Sequence, residues 1–132
     1  MLGELLGETR GKRIVRRVLS SDPVKVEVTF EDSGKMPGVE VNGFGTYCSE
    51  VRPDGTIFGE GQGAYITKAG DMVGWKGTGL GKFTQGGGVS YRGILYYRTA
   101  SKNLARLNAA PGVFEYESDA EGATHSKVWE WK

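Results

Sequence analysis

The sequence predicts an all-β chain: a closed antiparallel eight-stranded barrel with one short helix near residues 101–109. Three observations predict it. Short segments of alternating apolar and polar residues recur along the chain, separated by turn residues. There are eight such segments, the number at which a barrel is just filled by side chains or holds one small ligand. Closure also removes the unpaired edges of a long antiparallel series. Glycine supplies 22 of 132 residues, with aromatic residues interspersed and no collagen-like triplet. That mixture suits strongly curved sheet.

Residues 1–10 carry Leu2, Leu5 and Leu6 among glycines and acids and read as an N-terminal arm or a short helical turn. Residues 12–20 form a first strand rich in β-branched residues and arginine. After a turn at Ser21, Asp22 and Pro23, Val24, Val26, Val28 and Phe30 alternate with Lys25, Glu27, Thr29 and Glu31 in a half-buried second strand. Residues 32–38 read as a loop and 39–51 as a third strand, interrupted by Gly43 and Gly45. Arg52, Pro53, Asp54 and Gly55 make a hairpin turn. Strands four, five and six follow over 56–67, 72–84 and 89–99. Residues 101–110 break the alternation: Ser101 can cap, Leu104 and Leu107 are three apart, and Ala105, Ala109 and Ala110 favour helix. Strands seven and eight occupy 113–118 and 124–132. The whole chain, 1–132, is read as one barrel domain, a size able to bury a core without a metal or disulfide staple.

Composition narrows the function classes. A net charge of +1 gives no overall bias toward nucleic acid or membrane. The basic cluster Arg10, Lys12, Arg13, Arg16 and Arg17 is either an anion or nucleic-acid patch or a solvated strand face, and no other stretch reinforces the nucleic-acid reading. Each face of that strand pairs aliphatic residues with an arginine, which suggests that one arginine points inward or into a subunit contact. Cys48 is the single cysteine, read as a small buried residue, and its solitude favours a reducing, cytoplasmic setting. No basic leader followed by an apolar stretch opens the chain, and no run approaches the ~18 apolar residues of a membrane helix. His125 is the only histidine, so neither a protein-ligated zinc site nor a serine triad is credible. No metal or cofactor is expected.

Gly59, Gly61 and Gly63, and Gly77, Gly79 and Gly81, each strip one strand face of side chains. No helix follows to aim amides at a phosphate, so they read as sites of tight coiling or seats for neighbouring aromatic rings. Phe58, Glu60, Gln62, Ala64 and Ile66 share one face of strand four. Ser90, Arg92, Ile94, Tyr96 and Arg98 share a face of strand six. Two readings compete. If both faces point inward, Glu60, Gln62, Arg92 and Tyr96 converge in a ligand cavity rimmed by Trp75 and Phe58, with Glu60 near enough to Arg92 to pair. If they point outward, they form a polar surface with structural ion pairs. Phe114 and Tyr116 alternate with Glu115 and Glu117, and Trp129 and Trp131 with Val128 and Glu130; all four rings are expected in the core.

Residues 89–97 (VSYRGILYY), 104–108 (LARLN) and 111–117 (PGVFEYE) together resemble the small eight-stranded, calycin-like barrels related to allene oxide cyclase and dirigent proteins. Those families carry a Gly-X-Phe-Glu strand late in the chain, and Gly112 to Glu115 stands in that place. The resemblance spans residues 56–132 and implies a homo-oligomer holding a hydrophobic substrate inside the barrel. The first expectation for function is binding of a small hydrophobic or amphiphilic ligand. A cyclase- or isomerase-like enzyme acting on a lipid-derived substrate is the second, and a structural homo-oligomer with a filled barrel the third. The three tryptophans, six tyrosines and five phenylalanines are many for one small barrel to hide, which also points to self-association.

Overall fold

The computed structural model describes residues 2–132, with Met1 outside them. Eight strands run in chain order around a closed barrel, each antiparallel to the next, and the last pairs with the first. They are β1 (Leu2–Ser21), β2 (Val24–Met36), β3 (Val39–Val51), β4 (Ile57–Thr67), β5 (Met72–Phe83), β6 (Val89–Thr99), β7 (Gly112–Ser118) and β8 (Ala123–Trp131). The predicted barrel is therefore the observed one. Two expectations change. Residues 2–10 are not an arm, because their backbone pairs with β8 from Leu2 opposite Trp131 to Arg10 opposite His125. Residues 32–36 are not a loop, because β2 keeps its register with β3 as far as Met36 opposite Val39.

The helical segment is a single 3-10 helix, Ala105–Ala109, and no side chain caps its start. The three-residue spacing of Leu104 and Leu107 suits that tighter helix, in which positions three apart eclipse. Both leucines are fully buried. They close one end of the barrel by packing with Leu6, Met36, Val41, Val73, Tyr97 and Val128. The opposite end carries the turns of the β1–β2, β3–β4, β5–β6 and β7–β8 hairpins. There the packing is aromatic, with Ile57, Tyr91 and Tyr116 buried against Tyr47, Val89 and Phe114.

The glycine faces of β4 and β5 point inward, where they seat rings. A Cβ on Gly45 or Gly63 would come within 2.8 or 2.6 Å of the Trp75 ring, so only glycine lets that indole lie flat on the sheet. Tyr91 lies against Gly59 and Gly81 in the same way, and Phe114 against Gly79 and Gly93. Phe30, Gly45, Gly63, Trp75 and Tyr97 follow one another on successive strands, so two adjacent glycines lie between large rings. Mixing small and large residues in this way fills a narrow barrel without steric conflict.

On β8 the parity is the reverse of the expected one. Val128 is buried, whereas Trp131 is half exposed, and Trp129 shares its outer face. Cys48 is also exposed, because it lies between the inward positions Tyr47 and Ser49. Val18, Leu19 and Val24 at the far end of the β1–β2 hairpin are exposed, as are Phe44, Leu80, Phe83 and Tyr96. Among the described residues no helix is long and apolar enough to cross a membrane.

Candidate functional site

Inside the barrel lies a cavity of about 70 Å³. Its walls are the rings of Phe30, Tyr47, Tyr65, Trp75, Tyr91, Phe114 and Tyr116, the inward glycines of β4 and β5, and the polar groups of Asp32 and Ser126. Tyr47, Tyr91 and Tyr116 pack edge-on or tilted, with ring centroids 5.7–6.2 Å apart. Phe30 bridges this triad to Trp75, whose ring it overlaps at 6.3 Å. These are ordinary separations for stabilising aromatic pairs.

Asp32 is the one buried carboxylate among the described residues, at 9% exposure. The β2 alternation carries it inward two residues after Phe30. Oδ2 accepts a hydrogen bond from the Thr9 hydroxyl at 3.0 Å. Oδ1 has no partner, and neither do the hydroxyls of Tyr97 and Tyr116. The Tyr47 phenol adjoins Tyr116 without meeting hydrogen-bond geometry. Buried polar atoms left unpaired are costly and uncommon, and Asp32 and Tyr116 both line the same cavity.

Burial raises the Asp32 carboxyl above the usual carboxylate range, and the Thr9 hydroxyl offsets only part of that. Burial likewise pushes up Tyr65, Tyr97 and Tyr116, and the nearby Asp32 charge adds to each. Tyr91 is pushed up to about 12 by burial, although its hydroxyl is 2.5 Å from Ser49 Oγ. The interior thus holds neutral phenols around one carboxyl group that resists ionisation. It can give and accept hydrogen bonds, and its rings can stack on a flat or apolar body.

A second space, of about 210 Å³, forms a mouth at the hairpin end, and Tyr47 and Tyr91 line both it and the cavity. Arg13, Arg16, Val26, Ser49, Val51 and Phe83 are among the residues around this mouth.

Of the sequence-predicted ligand residues, Trp75 and Glu60 border the cavity, although Glu60 is an exposed residue between the inward Gly59 and Gly61. The side chains of Glu60, Gln62, Arg92 and Tyr96 are on the outside of the barrel, and all four are exposed. The inward-pointing reading of those faces is therefore corrected. Glu60 and Arg92 do share one side of the sheet, but it is the outer side and they do not pair. Glu60 stands opposite Thr78, whereas Arg92 stands opposite Leu80 and pairs with Glu115. Glu60, Gln62 and Tyr96 adjoin Cys48 and Lys76 in a shallow outer depression. Phe58 is also outside, with the Arg52 guanidinium 5.1 Å from its ring centre. The chain carries only a partial hint of this parity. Ile57 and Tyr65 flank the glycines of β4 on the same face, and Tyr91, Leu95 and Tyr97 form the more apolar face of β6. Asp32 escaped notice because its strand was expected to end at Glu31, one residue before it.

No protein-family model matches the chain, and no curated protein matches it in sequence. Solved structures do match. A protein of unknown function from Clostridium acetobutylicum superimposes with a TM-score of 0.84 at 12% identity, over 98% of each chain. A beta-barrel like protein from Acinetobacter baumannii gives 0.82 at 12% identity, covering 100% of this chain and 96% of that one. An enzyme from Penicillium herquei gives 0.69 at 15% identity, covering 96% and 92%. At these identities the likeness is one of fold. None of the three is described as an allene oxide cyclase or a dirigent protein, so what they support of that resemblance is the barrel.

Proposed function

We propose that the chain binds a small hydrophobic or amphiphilic molecule in the aromatic chamber. The observation that carries this reading is the buried, unpartnered Oδ1 of Asp32, a residue that lines an apolar cavity. A filled structural barrel has no need of a buried carboxyl lacking a partner, whereas a ligand hydroxyl or carbonyl, or a water it displaces, satisfies one. Apolar walls with a few converging polar groups are the general form of a small-molecule site.

The test is a heteronuclear NMR titration with phenylbutanol. Saturable shifts are expected at the amides of Gly59, Gly61, Gly77 and Gly79, which line the chamber. Ser126→Leu, which fills the chamber from β8, is expected to abolish them while the remaining spectrum stays folded. A wild-type titration without saturable shifts inside the barrel overturns the reading.

Catalysis in the same chamber is a second reading, cyclase- or isomerase-like on a lipid-derived substrate. Asp32 favours it, since a carboxyl raised by burial can both donate and accept a proton nearer neutral pH. The Penicillium herquei enzyme offers a precedent for activity on a similar fold. Turnover of oxylipin-like substrates that Asp32→Asn abolishes without weakening binding would favour it over simple binding.

A further inference from the structure

We infer that the mouth of the barrel selects ligands bearing an anionic group, held by Arg13 and Arg16, with the apolar body inserted toward Asp32. This rests on the chamber being a ligand site.

In a regular strand Arg13 and Arg16 would lie on opposite faces, since they are three residues apart. Here the β1–β2 register shifts between Arg13 and Val15, so that Ile14 is an extra residue in β1. Arg13 stands opposite Phe30 and Arg16 opposite Val28. Phe30 and Val28 are both buried and inward, so the bulge brings both arginines to the inner face at the rim. Both line the mouth, and both charges act on the Tyr47 phenol, partly offsetting the rise in its pKa that burial causes, which places them beside a ring that lines the aromatic chamber.

Neither makes an ion pair among the described residues, whereas Arg10, Arg17, Arg92 and Arg106 of the outer surface all do. Asp119 is the acid at the mouth, and its Oδ1 is occupied by the amides of Glu121 and Ala123. Two unpaired guanidinium groups on the inner rim, above a ring of tyrosines, suit a carboxylate at one end of an aromatic or short aliphatic body. The distal end of such a molecule then meets Asp32, which excludes a second anion there.

The experiment compares phenylbutyrate, phenylbutanol and phenylbutylamine, which share one apolar body, by calorimetry on the full chain. The carboxylate is expected to bind about tenfold tighter than the alcohol, with the preference shrinking as ionic strength rises. Arg13→Gln with Arg16→Gln is expected to erase the preference and leave alcohol binding intact, which also reports that the variant is folded. Should the double variant fail to fold, Arg16→Gln alone, on an exposed side chain, is expected to remove part of the preference. Equal binding of carboxylate and alcohol, tightest binding of the amine, or a preference that survives in the variant overturns this inference while the chamber remains a binding site. Failure of all three probes overturns both.

Discussion

The Thr9 hydroxyl donates to Asp32 Oδ2 across the first hairpin at 3.0 Å, leaving Oδ1 buried without a partner. This half-satisfied carboxyl sets the chemistry of the interior and gives a pH signature. Burial raises its folded-state pKa above the 3.8 of an exposed aspartate. Between that value and the raised one the native state holds a proton that the unfolded chain has released. The contribution of Asp32 to stability is therefore complete below about pH 3.8 and is lost as pH rises through the folded pKa. Asp32→Asn, neutral at every pH, is expected to raise the thermal midpoint at neutral pH, with the gain vanishing toward pH 3.8. Parallel melting curves across that range check it; a pH-independent difference contradicts it.

Gly63→Ala places a methyl group 2.6 Å from the Trp75 ring and 2.5 Å from the Phe44 carbonyl oxygen, so either the indole or the strand must move. A loss of roughly 1–3 kcal/mol is expected in denaturant unfolding. Gly74→Ala, whose nearest atoms are 3.9 Å away, is the control and is expected to change stability far less.

Leu107→Ala removes a fully buried side chain from the plug that closes the end opposite the mouth. Loss of its contacts plus the cavity left behind should cost about 2–5 kcal/mol, read as a shift in denaturant midpoint at unchanged slope.

A double-mutant cycle separates the two candidate partners of Arg92. Coupling with Glu115 should be ~0–1 kcal/mol, because the two are an exposed pair. Coupling between Arg92 and Glu60 should be zero within error, since they do not meet. A buried Glu60–Arg92 pair would instead give roughly 3–5 kcal/mol for each single variant.

Alternation, turn chemistry and the number of strands determined the barrel from sequence alone, because a two-residue repeat and glycine- or proline-marked turns are local properties of the chain. The same locality made residues 101–110 legible as a helical break and the β4 and β5 glycines legible as ring seats. Which face turns inward was decided only by tertiary structure. Both faces of β4 carry apolar residues, and the choice depended on whether the glycine face was needed to accommodate Trp75, Tyr91 and Phe114, rings contributed by other strands or by other positions on the sheet. Choosing that face sent Glu60, Gln62, Arg92 and Tyr96 to the surface together. The placement of Arg13 and Arg16 was equally beyond local reading, because the bulge at Ile14 exists only in the register between β1 and β2. One inserted residue reverses every side chain beyond it, and closure of the barrel, a long-range constraint, decides where that residue goes.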